Sequence, residues 1–184
     1  MTEPNNKLEF PVQTETPGGL WTGVLPRILA AVDQHLGPGD LAELRRLRPE
    51  DPGSPAFWRL VATYLDGNLP KGEEARVAAE RQWATILRTF AELKGLHAPA
   101  LSLGRALAEA DFSELRFSRL LRAKDTLLDD SVRGASRILA SKGQKARLTD
   151  FAALVLIQDG EAAEGVRRRL ARSYYANTST TTQS

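Results

Sequence analysis

From residue 20 to residue 175 the chain is punctuated as a helical protein is. Apolar side chains return every three or four positions, and proline, glycine or a capping side chain closes each run. No stretch alternates apolar and polar residues between hairpin turns, and no internal repeat of fixed period is found. The pattern specifies an all-α fold, a compact multi-helix bundle of about eight or nine helices with no sheet.

The first helix is expected over 20–36, interrupted early by Pro26 and stopped at Gly37-Pro38-Gly39. Asp40 with Glu43 three residues on has the spacing of a capping box for a short helix over 41–48. Ser54-Pro55 is a cap and first-turn proline for a helix over 56–65. A long helix follows over 73–94, with Gly95 just past its end. Ser102 and Ser113 are expected to cap helices over 103–110 and 114–123. Helices over 126–141, 151–158 and 161–175 complete the bundle, the second of them started by Thr149 or Asp150. Residues 20–175 therefore read as a single α-helical domain. Residues 1–19 hold three prolines, two glycines and no periodic pattern, and read as a flexible leader. Residues 176–184 carry no charge and no large apolar group, and read as a disordered tail.

A chain of 184 residues can bury roughly 70% of its unfolded surface and needs no covalent or metal staple. It has no cysteine, which excludes disulfides, thiolate metal sites and a cysteine nucleophile. No run approaches ~18 apolar residues, and the amino terminus lacks the apolar core of a signal peptide, so a cytoplasmic location without membrane contact is expected. His35 and His97 have no second ligand at metal spacing, and each is expected at a helix end, interacting with its dipole. Asp129-Asp130 and Glu73-Glu74 are adjacent pairs that diverge on a helix, and read as cap and solvent residues. No phosphate loop, nucleophile elbow or dinucleotide-binding glycine pattern occurs. Neither an enzyme nor a cofactor is expected.

The basic residues say more. There are 19 Arg and 6 Lys, although the formal net charge is only +2. Arginine's planar fork suits phosphate, whereas coding bias toward arginine would give the same excess without function. Three clusters stand out: Arg45-Arg46 with Arg48; Arg116, Arg119 and Arg122; and Arg167-Arg168-Arg169 with Arg172. At 100° per residue the second set spans an arc of about 120°, facing away from Phe117, Leu120 and Leu121. Such a ridge can follow a nucleic-acid backbone. The third cluster also complements the C-terminal end of its helix dipole. Aromatic side chains near the clusters are few, which favours contact with phosphates over reading of bases.

Four segments occur in order: GDLAELRRLRP (39–49), SPAFWRLV (54–61), SLGRALAEA (102–110) and RFSRLLRAK (116–124). Together they resemble the small subunit of the type I-E CRISPR Cascade, the CasB family. VRRRLARSYY is similar to that family's closing helix, although Phe151 and Leu170 stand where its pattern has tryptophans. The resemblance implies a non-catalytic, all-helical ribonucleoprotein subunit. Two copies would lie head to tail, contact the other Cascade subunits, and help hold guide RNA, target strand and displaced strand. Carried onto this sequence, the nucleic-acid arginines are Arg45 or Arg46, Arg116 and Arg122. Arg105 of LGRAL matches the motif with a possible structural role, and Arg119 joins the set from helical geometry. Gly104, inside a helix, marks close helix packing. Two other classes fit the residues alone: a helical protein–protein adaptor without nucleic-acid contact, and a ligand-binding helical regulator.

Overall fold

The structure, a computed structural model, describes Trp21 and residues 23–178. Nine α-helices account for most of them: α1 (Val24–Gln34), α2 (Pro38–Arg45), α3 (Pro55–Leu60), α4 (Glu73–Glu92), α5 (Leu103–Glu109), α6 (Glu114–Arg122), α7 (Asp125–Lys142), α8 (Thr149–Leu156) and α9 (Gly160–Thr178). Among the described residues there is no strand, and only isolated bridges join Arg48 to Asp51 and His97 to Ala146. The expected all-α bundle is the observed fold. The leader expected over 1–19 lies outside the described residues, as does the tail beyond Thr178. Ala176, Asn177 and Thr178, assigned to that tail from sequence, continue α9 instead.

The helices are organised around the second half of α4. Trp83, Ala84, Ile86, Leu87, Phe90 and Ala91 are all buried, and so are the polar Thr85, Arg88 and Thr89 between them. A helix buried on every side must satisfy its polar groups internally. Arg88 bonds Asp129 of α7 and donates to the Leu47 carbonyl at 3.3 Å. Thr85 donates to the same Asp129 carboxylate at 2.7 Å, and Thr89 to the Thr85 carbonyl at 2.8 Å. Asp129 is therefore the partner of a buried cation, not the solvent residue that its adjacent pair suggested. A buried ion pair joins α4 to α7 and to the chain leaving α2.

Two carboxylates expected to serve their own helices serve others. Glu43 accepts from the Ala56 amide and from the Ser54 hydroxyl, both at 3.0 Å. These bonds, the backbone one foremost, hold its carboxyl below the ordinary range. It thus braces the start of α3. Helix α2 begins earlier than expected, at Gly37 and Pro38, so Asp40 lies inside its first turn and pairs with Arg59 of α3. Asp150, buried in α8, accepts the Leu103 amide at 3.0 Å and so caps α5. Proline at position 26 does not interrupt α1. It occupies the first turn, where the amide has no intrahelical acceptor to lose. The helix expected over 56–65 is present but widens into a π-turn over Val61–Leu65, where the Thr63 hydroxyl takes the Arg59 carbonyl at 2.7 Å.

Gly104 behaves as expected. A Cβ there would stand 2.2 Å from the Leu170 carbonyl and 2.3 Å from the Ser173 hydroxyl, so only glycine lets α5 approach α9 this closely. One turn beyond Leu170 on α9, Tyr174 stacks on Phe117 with ring centroids 3.9 Å apart, and its hydroxyl donates to the Phe112 carbonyl. These contacts fix α6, the helix that carries the arginine ridge.

Candidate nucleic-acid interface

Helix α6 is bracketed by two aspartates with positive φ, Asp111 at 55° and Asp125 at 50°. Aspartate tolerates this left-handed turn better than most residues, and each turn redirects the chain sharply. Helix α7 consequently runs back along α6. The far end of the pair is tied by Lys142 to Asp111 at 2.5 Å. Phe117 and Leu120 point into the core, while Arg116, Arg119 and Arg122 are exposed, as the helical wheel requires.

Arg116 and Arg119 line one groove with Phe112 and with Asp130, Ser131 and Gly134 of α7; its volume is ≈ 240 Å³. Neither arginine's side chain has a hydrogen bond or ion pair among the described residues. The sequence accounts for this. No carboxylate lies three or four positions from either one on α6, and the acid of its first turn, Glu114, accepts from the Tyr175 hydroxyl at 3.1 Å. Arg122 lies at the helix end, within electrostatic range of Tyr175. The surface is a pair of unpaired cations on a narrow cleft.

A family model of the CRISPR-associated protein Cse2 matches residues 40–175. The chain belongs to that family. It is a type I-E Cascade small subunit, and the match runs from Asp40, in the first of the four segments that carry the sequence resemblance, through the carboxy-terminal helices. A search of curated proteins finds no match. No helix among the described residues is long and apolar enough to cross a membrane.

Within this small subunit the other candidate arginines are differently placed. Arg45 is exposed, but its Nε donates to the Ala91 carbonyl at 3.0 Å, so it closes the last turn of α4. Arg46 is exposed at the end of α2 with no partner among the described residues. Arg105 pairs with Glu109 one turn on, at 2.7 Å. Helix α2 packs on α3 and α4, whereas α6 packs on α7, so the carried-over arginines belong to two parts of the bundle. In the third cluster Arg172 is exposed, and the other three arginines are held by the fold. Arg167 donates to the Gln158 carbonyl at 2.9 Å, Arg168 pairs with Glu164 at 3.0 Å, and Arg169 lies 3.6 Å from buried Asp150.

The sequence reading missed two further cations beside the groove. Arg133 and Arg137 are exposed on α7, and Arg137 stands three residues beyond Gly134 on the same stripe. The four-residue spacing from Arg133 to Arg137 was visible in the sequence, but only the hairpin of α6 and α7 gives it meaning. His97 also differs from expectation. Rather than ending α4, it reaches the start of α8, where its Nδ1 accepts the amide of Leu148 at 3.2 Å. Partial burial pushes the imidazole below its ordinary value, with Asp33 opposing and Arg147 assisting.

Proposed function

We propose that the chain is a non-catalytic strand-holding subunit of a cytoplasmic RNA-guided surveillance complex, with α6 and the facing side of α7 as its nucleic-acid surface. Arg116, Arg119 and Arg122 contact sugar–phosphate backbone of guide RNA, target strand or displaced strand, and Arg46 adds a separate contact from α2. The chain docks on the other Cascade subunits and beside a second copy of itself. In such a complex base pairing reads the sequence, so the protein has only to hold backbone. One observation carries the reading: Arg116 and Arg119 share a groove and have no protein partner among the described residues, while Arg105, Arg168 and Arg169 are held by carboxylates. Paired arginines are structural, and unpaired ones facing a cleft are available to an anion.

Reconstitution tests it. A complex assembled without the chain should hold matched target DNA poorly, and wild-type protein should restore binding. The Arg116→Ala/Arg119→Ala double variant should join the complex but fail to restore it. Full restoration by the variant would leave the adaptor role, without nucleic-acid contact, as the better reading.

A further inference from the structure

The groove between α6 and α7 has features that phosphate contact alone does not use. Phe112 forms part of its lining at 4% exposure, held by the hydrogen bond from Tyr174 to its carbonyl. Ser131 and Asp130 offer a hydroxyl and a carboxylate on the α7 side, and Arg116 and Arg119 stand on the α6 side. Gly134 keeps the space open. It lies in the middle of α7, where alanine is the better helix former, yet a Cβ built there meets nothing within 4 Å. Among the described residues no packing demand accounts for that glycine. A side chain at this position would enter the groove.

An apolar floor, hydrogen-bonding groups at one edge and two unpaired cations at the other match a nucleotide, which carries a flat ring and an anion in one unit. The ≈ 240 Å³ space takes a single ring system. It is smaller than a single turn of a helix, about 5.4 Å long and about 10 Å across with its side chains. We propose that the groove receives one unstacked nucleobase of a single strand, whose flanking phosphates lie on Arg116 and Arg119. The proposal rests on the reading of α6 as a strand-binding face and adds a base contact to it. Every base has an apolar face, so a site of this kind accepts any base and leaves sequence reading to the guide.

The test fills the groove without touching the arginines. Gly134→Leu and the milder Gly134→Ala both improve helix propensity. Gly165→Leu in α9, where a Cβ also meets nothing, is the control for that effect. The full-length chain is titrated at low salt with a short oligothymidylate and with an abasic strand of equal length and charge. Wild-type protein and Gly165→Leu should bind the thymidylate about tenfold more tightly than the abasic strand. Gly134→Leu should bind both at the abasic level, with an unchanged salt slope and an undiminished melting temperature. Persistence of the thymidylate preference in Gly134→Leu would overturn the proposal. If Arg116→Ala/Arg119→Ala weakens binding to both strands while Gly134→Leu alters neither, the base contact is refuted and the phosphate reading stands. If none of the variants changes binding, both are refuted. Loss of Gly134→Leu from the assembled complex, with strand binding intact, would assign the groove to a protein side chain and likewise refute the base contact.

Discussion

Helices α6 and α9 carry the same chemistry to opposite ends. Each carries a cluster of arginines, three within seven residues on α6 and four within six on α9, and each lies against the same aromatic cluster of Phe117 and Tyr174. On α9 three of the four cations have partners, and Arg172 is left exposed. Arg168 has Glu164 one turn behind it, Arg169 reaches the buried Asp150 of α8, and Arg167 closes on the Gln158 carbonyl. On α6 Arg116 and Arg119 find no acid at helical spacing, and Glu114 is taken by Tyr175. The density of arginine does not separate a structural helix from a binding one. The placement of carboxylates around it does.

The largest effect is expected where α5 meets the carboxy-terminal half of α9. Gly104→Ala should destabilise the fold by about 3 kcal/mol, because the new methyl meets the Leu170 backbone carbonyl, which cannot swing aside as a side chain would. A fall in denaturation midpoint with strand affinity preserved in the folded fraction is the expected result; an unchanged midpoint would mean that α5 and α9 are less tightly fitted. Asp150→Ala comes next, at about 2 kcal/mol, since it removes the acceptor of the Leu103 amide and leaves Arg169 unpaired. Chemical denaturation measures both.

A gentler probe of the scaffold is acid. The neutral imidazole of His97 accepts the Leu148 amide, and its folded value is depressed, so the unfolded chain takes up the proton first. Stability is therefore full above the ordinary histidine value of about 6.5 and falls as pH drops below it. The His97→Gln variant should lose most of this dependence between about pH 6.5 and 5, before the carboxylates titrate. Equal melting curves for the two proteins across that interval would remove His97 from the account. The smallest stability effect belongs to α6 itself, where Arg116→Ala/Arg119→Ala should shift folding by no more than about 0.5 kcal/mol.

Much of this was legible in the sequence because it is local. Ser54 and Ser102 cap where their sequence says they cap, accepting from Phe57 and Arg105. Gly104 announces a close approach, and the 100° step sends the α6 arginines outward. What was not legible is the traffic between helices. Glu43 and Asp150 have the local signature of capping their own helices, yet each finds an amide across the fold at 3.0 Å. Arg88 and Asp129 look like surface residues on two separate helices, and only their juxtaposition makes a buried pair. The groove is of the same kind. Phe112 and the two arginines are neighbours in sequence, but Gly134 lies 15 residues beyond Arg119, and the turn at Asp125 brings it to them.

The most direct measurement crosses the two helices. Arg116→Ala/Arg119→Ala and Arg167→Ala/Arg169→Ala are each built into reconstituted complex, and melting temperature of the chain and salt dependence of target-DNA affinity are measured for both. The α6 pair should reduce the log–log salt slope by about 1.4–1.8 and leave the melting temperature unchanged. The α9 pair should lower the melting temperature by about 3 °C and leave the slope unchanged. The account is contradicted if the α9 pair lowers the slope as much as the α6 pair, or if the α6 pair costs stability and not binding.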